Sequence, residues 1–182
     1  MPEWMIKGKA REKYLQECKN VELDDIQSNP VLMNMFNKPE QYKVVYERLV
    51  ELFGSLNGKH IIEIGGGYGG QAKVICDNCT PSRYTIIDLP EVTDLQRRFL
   101  KDYPVECRTT PLGNDWFCLS VDLVISNYAL SEIPDNRVYM KAIVHNAIHG
   151  YITCNTDFVN IPYAKRIADI PGERETNYVL WW

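Results

Sequence analysis

Apolar positions in this chain recur at two spacings, and the change from one to the other divides it. From residue 37 to 53 the helical period holds: Tyr42, Val45, Tyr46, Leu49, Val50 and Phe53 fall on one stripe. Asn37-Lys38-Pro39-Glu40 supplies an N-cap with an acidic residue three positions on, and Gly54 supplies a stop. Upstream, residues 1 to 35 mix charges with isolated apolar residues such as Tyr14, Leu15, Val21, Leu23 and Ile26, which fits one or two short helices lying on a larger body. Downstream of the Leu56-Asn57-Gly58 turn, short apolar runs alternate with helical patterns. His60–Ile64, Tyr84–Asp88, Val105–Thr109, Val121–Ser126 and Tyr151–Asn155 read as strands, and Asn177–Trp182 as a last one. Residues 71–77, 91–102 and 135–150 read as the helices between them, whereas Thr110 to Ser120 is too short for a full helical crossover. Strands separated by crossover helices imply a parallel sheet with right-handed connections. The expected fold is α/β, a doubly wound Rossmann-like sheet with helices on both faces, preceded by an N-terminal helical segment over residues 1–56. The abrupt finish at Trp181-Trp182 leaves room for one closing strand and predicts that an antiparallel edge strand is missing.

Composition narrows the partners. The 182 residues suit effectively one domain, with the sheet over 57–182, and 45% hydrophobic against 24% charged residues suits a packed core. Twenty basic and 24 acidic residues leave a net charge of −4, so no global positive field attracts a phosphate backbone and nucleic acid is not an expected partner. No apolar run approaches the roughly 18 to 20 residues of a membrane span, and the N-terminus has no apolar signal-peptide centre, so the expected compartment is the cytoplasm. Six scattered cysteines are expected to be reduced. Cys76-x-x-Cys79 follows a helix rather than opening one, and lacks the second ligand pair of a zinc site. His145 and His149, four apart on the expected helix, lie at the amino edge of the sheet. No metal ligand set is assigned.

The chemistry concentrates in Glu63-Ile64-Gly65-Gly66-Gly67-Tyr68-Gly69-Gly70, between the first strand and the next helix. Such glycines let the backbone turn sharply and admit a ligand against bare main chain, beside the unpaired N–H groups of a helix start. Gly65, Gly67 and Gly70 fit G-x-G-x-x-G, and Glu63, Gly65, Gly67 and Gly69 fit E-x-G-x-G-x-G. Spacing leaves both open. Glu63 discriminates, because a carboxylate opposes a dinucleotide's pyrophosphate but suits a cation such as a sulfonium with an attached ammonium. That favours S-adenosylmethionine over NAD. Asp88, ending the second strand, is placed to accept both hydroxyls of a ribose.

On these residues the chain resembles the class I S-adenosylmethionine-dependent methyltransferases, over about residues 57 to 155. HIIEIGGGYGG is similar to the family's first motif, YTIIDLPEV to its second, Asn114-Asp115-Trp116-Phe117 to the acidic-aromatic segment beside adenine, and VDLVISNYALSEIPD to its fourth. The wording of the last three is most similar to O-methyltransferases of small hydroxylated molecules, sugar O-methyltransferases above all. The resemblance implies cofactor contacts from Glu63, Gly65, Gly66, Gly67, Tyr68 and Gly69, from Asp88 and Leu89, from Asp115 and Trp116 near adenine, and from Ser126 or Asn127 at the amino-acid end.

Ligands of an open α/β sheet collect beyond the carboxyl ends of its strands, which nominates Asn127, Tyr128, Glu132, Asn155 and Asp157 for the acceptor side. Methyl transfer to an alcohol needs alignment and a base. Glu132 is the first candidate for that base, against a reading in which it faces water or caps a helix. The histidine of plant-type relatives is absent from Tyr128-Ala129-Leu130-Ser131, as are the paired prolines of methyltransferases that act on adenine. Tyr42 and Tyr46 either cover the ligand or pack in the core, and the polar loop Pro171 to Asn177 is a further candidate for the acceptor pocket. The reading is an S-adenosylmethionine-dependent O-methyltransferase of a small hydroxylated acceptor. Its rivals are an NAD-dependent oxidoreductase and a non-catalytic binding protein of the same fold.

Overall fold

The computed structural model describes residues 9–36, 38–109, 120–133, 136–155, 159–170 and 175–182. Short N-terminal helices come first: α1 (Lys9–Asn20), a 3-10 turn (Leu23–Ser28) and α2 (Pro30–Met33). Asn29 caps α2, its Oδ1 accepting the Val31 and Leu32 N–H groups at 3.0 and 3.2 Å, with Pro30 at the first helical position where no donor is needed. The long helix α3 (Pro39–Phe53) begins later than the sequence implies: Lys38 caps it, its N–H donating to Gln41 Oε1 at 2.6 Å. Asn37, the expected cap, lies outside the described residues.

Alternation then starts: β1 (His60–Ile64), α4 (Gly70–Asn78), β2 (Arg83–Asp88), α5 (Pro90–Phe99), β3 (Val105–Thr109) and β4 (Val121–Asn127). Residues 110–119, where the short crossover was expected, lie outside the described set. After β4 come α6 (Ala129–Glu132), α7 (Arg137–Ala142), a 3-10 turn (Val144–Asn146), β5 (Ala147–Cys154), β6 (Lys165–Ala168) and β7 (Tyr178–Trp181). The seven strands run in the order β3-β2-β1-β4-β5-β7-β6, parallel from β3 to β5, with β7 antiparallel to both β5 and β6.

Alternate residues of each strand feed opposite faces. Ile61, Ile86, Leu123, Ile125 and Tyr151 pack with Val45 and Leu49 of α3 and Ala72 and Ile75 of α4. Ile62, Ile64, Val124 and Ile152 pack with Leu130, Ile143 and Val144 on the other side. A third cluster joins Tyr14, Cys18, Leu32 and Phe36 to Tyr68, Val92 and Leu95, and so fastens the N-terminal helices to α5. Arg98 reinforces it by donating to the carbonyls of Cys18 and Val21 at 2.8 and 2.9 Å, next to the end of α1, where backbone acceptors lack helical partners. Among the described residues no helix is long and apolar enough to cross a membrane.

Two expectations are corrected. The helix expected over 135–150 is replaced by α7 and a 3-10 turn, and β5 starts at Ala147, four residues early. Val121 and Leu123 of β4 pair with Ala147 and His149, so a continued helix would leave the first half of β4 without hydrogen-bond partners on its β5 side. His145 and His149 therefore do not share a helix face; His149 lies in β5 and stacks on Phe53 at 5.0 Å. The edge strand expected to be missing is present as β6. Its sequence, Lys-Arg-Ile-Ala, has no strand pattern, but Lys165 and Arg166 lie over the rings of Trp181 and Tyr178 at 4.6 and 3.5 Å. Basic residues suit an exposed edge, and the aromatic faces hold them there.

Gly150 pairs with Trp182 in both directions, at 3.1 and 3.3 Å, and the Trp182 ring covers the space a side chain would fill. Gly150→Ala is expected to lower stability by roughly 1–3 kcal/mol, read as a lower denaturant midpoint at unchanged slope.

Candidate functional site

Strand order reverses between β1 and β4, and the crevice beyond their carboxyl ends is where the glycine loop emerges. Gly65, Gly67 and Gly69 have φ of 74°, 55° and 101°, conformations that L side chains rarely adopt. The Gly65 N–H donates to Ile87 O at 2.9 Å, and the Gly69 N–H to Gly66 O at 2.9 Å. Protein atoms also crowd the loop from outside: a side chain at Gly65 would strike Ala129, and one at Gly67 would strike the Phe36 ring. One at Gly66 would meet Ile86 and the Glu63 carboxyl. The Tyr68 ring is buried among Phe36, Tyr42 and Phe99, with centroids 5.0 to 5.7 Å away. Tyr42 likewise belongs to the core, packed against Gly70.

Two acids sit beneath this loop. Glu63 is 1% exposed and accepts from the Tyr84 hydroxyl at 2.9 Å. Burial pushes its carboxyl up to about 8, against that hydrogen bond, and the neighbouring Asp88 charge pushes the same way. Asp88 is part-buried at the end of β2, accepting from the Leu89 N–H at 2.8 Å and Gln96 Nε2 at 2.9 Å. Burial raises it to about 7, although the Leu89, Gln96, Gly67 and Gly66 donors all favour the charged form. No cation enters among the causes that set either acid. Leu89 itself lies against the N-terminal cluster.

The tip of β4 forms the other wall. Ser126 is fully buried, its hydroxyl donating to Ile64 O at 2.9 Å and accepting the Leu130 N–H at 2.9 Å, so it ties β4 to β1 and opens α6. Asn127 donates to Gln71 Oε1 at 3.5 Å while its own Oδ1 is buried without a hydrogen-bond partner among the described residues. Tyr128 has φ 70° and ψ −33°, the positive-φ residue among the described non-glycines. Such a conformation costs about 1–3 kcal/mol and persists where surrounding contacts impose it. Ser131 bonds the Asn155 side chain at 3.0 Å, and Asn155 Nδ2 donates to Glu132 Oε1, so the candidate base is held against the end of β5. Asp115, Trp116 and Asp157 lie outside the described residues, as do Pro171 to Arg174 of the polar loop.

Gln96 was not signalled by the sequence. It lies on the apolar face of α5 beside Val92 and Leu95, fully buried, and its amide bridges the Gly67 carbonyl at 2.7 Å to Asp88. A buried amide amid an apolar stripe is the signal that was there to find. Asp169 and Arg48 were equally silent: Tyr128 donates to Asp169 Oδ2 at 2.6 Å, and Arg48 holds the Asp169 carbonyl at 3.2 Å. Burial pushes the Cys76 thiol up to about 11, the opposite of an activated thiolate. Among the described residues, no group of three or more metal-binding side chains is assembled.

No family model matches the chain. The N-methyltransferase NodS from Bradyrhizobium japonicum WM9, solved with S-adenosyl-L-homocysteine, superposes with a TM-score of 0.63 at 13% identity, covering 93% of this chain and 95% of NodS. Magnesium protoporphyrin IX methyltransferase (ChlM) from Synechocystis PCC 6803, solved with S-adenosylmethionine, gives 0.61 at 10% identity, covering 98% and 93%. This chain has the Rossmann-like methyltransferase fold. YjhP from E. coli matches less fully, at 0.51 and 14% identity over 72% of this chain, and there the methyltransferase-fold chain spans only 55% of the longer protein.

An acid whose folded value exceeds its unfolded one favours folding at low pH and loses that contribution as pH rises through the folded value. For Glu63 the window runs from 4.5 to about 8. The melting temperature of Glu63→Gln, relative to the parent and without ligand, is expected to climb across this window by several degrees in calorimetric scans. A flat difference would mean that Glu63 is not buried uncompensated.

Proposed function

We propose that the chain binds S-adenosylmethionine at the carboxyl ends of β1 and β4 and catalyses methyl transfer to an oxygen of a small hydroxylated acceptor. The observation that carries this reading is the pair of acids under the glycine loop, one buried and one part-buried, with no cation among the described groups that shift them. A cationic ligand relieves what burial imposes, and a neutral or anionic one does not.

The residues fit that cofactor. Asp88 presents a part-buried carboxylate to the ribose hydroxyls, and Glu63 ionises readily once positive charge arrives above it. Asn127 Oδ1, a buried acceptor without a donor among the described residues, suits the ammonium of the methionine end. Ser126 and Tyr68 support the two walls from behind, and Asp115 and Trp116 take the adenine side by resemblance. Bound S-adenosylmethionine supplies an electrophilic methyl carbon and a neutral leaving group. The protein holds the acceptor in line and excludes water. The buried Glu63 counts against the dinucleotide rival, because a pyrophosphate in the loop would set negative charge beside that carboxyl.

Solved proteins of this fold act on acceptors as different as those of NodS and ChlM, so the acceptor is read from this chain's own edge. Tyr128, Glu132, Asn155 and Asp169 offer hydroxyl, carboxylate and amide groups, which match a polyol such as a sugar better than an apolar or anionic acceptor. Isothermal calorimetry is expected to show binding of S-adenosylmethionine and its demethylated product and no binding of NAD. Asp88→Ala and Glu63→Gln are each expected to weaken S-adenosylmethionine about tenfold or more, or about 1.4 kcal/mol. Binding of NAD instead, or unchanged affinity in both variants, would overturn the reading.

A further inference from the structure

The carboxyl edge holds a second construction that the cofactor does not need. Tyr128 leaves β4 at positive φ and is pinned on both sides: its N–H donates to Thr153 O at 3.1 Å, and its carbonyl accepts from Ser131 N at 3.0 Å and Ser131 Oγ at 2.7 Å. This strained, over-determined turn presents the phenol to Asp169 Oδ2 at 2.6 Å. Asp169 directly follows β6, which runs in the same direction as β4 because β7 is antiparallel to both β5 and β6. The topology therefore returns a carboxylate to the edge where β4 releases the tyrosine.

The acid is fixed as well. Asp169 Oδ1 accepts the Ile170 N–H at 2.8 Å, and Arg48 reaches from α3 to donate to the carbonyls of Ala168 and Asp169, both at 3.2 Å. In these bonds Arg48 grips the turn through its main chain and leaves Oδ2 to the phenol. Backbone strain at one partner and three bonds around the other are more than a surface tyrosine needs.

We infer that Tyr128 is the group that receives the acceptor hydroxyl, and that Asp169 is the terminus of its proton. The inference rests on the methyl-transfer reading above. As the acceptor oxygen bonds to the methyl carbon, the carbon–sulfur bond breaks and sulfur keeps the pair. The acceptor proton passes to Tyr128 Oη while the phenolic proton passes to Asp169. One positive and one negative charge vanish together, so no net charge is left in the site. Tyr128 is then a catalytic residue, and Asp169, acting through it, a positioning and relay residue. Glu132, held by Asn155, is assigned no proton transfer.

Two measurements test this on the intact chain. Saturation-transfer NMR of the complex with S-adenosyl-L-homocysteine, using glucose, rhamnose and myo-inositol as probes, is expected to show contact with at least one, lost in Tyr128→Phe and Asp169→Asn. Radiolabelled methyl transfer to the probe that binds is expected to fall roughly 100-fold in Tyr128→Phe, as for loss of a proton-transferring group, with S-adenosylmethionine affinity within twofold of the parent. Asp169→Glu is expected to recover part of the turnover lost in Asp169→Asn, and Glu132→Gln to lower turnover less than Tyr128→Phe does. Contact with none of the three probes, or unchanged turnover in Tyr128→Phe, overturns the inference. A loss in Glu132→Gln with Tyr128→Phe intact returns the role to Glu132. Failure of the parent to bind S-adenosylmethionine instead overturns the cofactor reading, which calorimetry reads separately.

Discussion

Two carboxylates buried under one glycine loop set the terms for the rest of the molecule. Glu63 and Asp88 lie near the ends of neighbouring parallel strands, and the Asp88 charge adds to the burial that raises Glu63. The fold spends donors on them: the Tyr84 hydroxyl on one, and the Gln96 amide with main-chain N–H groups on the other. None of these donors carries a positive charge. The arrangement therefore stays electrostatically incomplete, tolerable for folding because donors are supplied, and receptive because the counter-charge is not.

The supports of that site come from three directions. From the sheet, Ser126 joins β4 to the last carbonyl of β1, fixing the two strand ends that bound the crevice. From α5, Gln96 locks loop to acid. From the N-terminal segment, Phe36 and Tyr42 fill the space against Gly67 and Gly70. The short helices before α3 thus belong to the architecture of the site, although no residue in them carries chemistry of its own.

Much of this was legible in the sequence. The parallel strands β1 to β4, the long helix α3 and the glycine loop rest on local signals: short β-branched runs, helical spacing, and glycines where the backbone turns sharply. What was not legible depends on partners distant in the chain. β6 is a strand because β7 offers it aromatic faces and a free edge, and Lys165-Arg166-Ile167-Ala168 carries no such information alone. β5 begins early because β4 needs hydrogen bonds, which no helical pattern over 135–150 can announce. Gln96 and Asp169 look like ordinary polar residues until the fold sets them against Asp88 and Tyr128. Glu63 and Asp88 stand out in the sequence by charge and position beside a motif, and the fold sets both beneath that loop.

The contact of Phe36 with Gly67 carries a consequence for how such a protein can change over generations. A methyl group added at residue 67 meets both an unfavourable φ and the edge of that ring, and trimming the ring removes only the second obstacle. Phe36 in turn leans on Tyr14 at 5.8 Å and Tyr68 at 5.5 Å, so trimming it loosens two further rings. Substitutions at 14, 36, 67 and 68 are therefore epistatic rather than additive. The glycine-loop sheet and the helical N-terminal segment of the chain are bound to a shared mutational history.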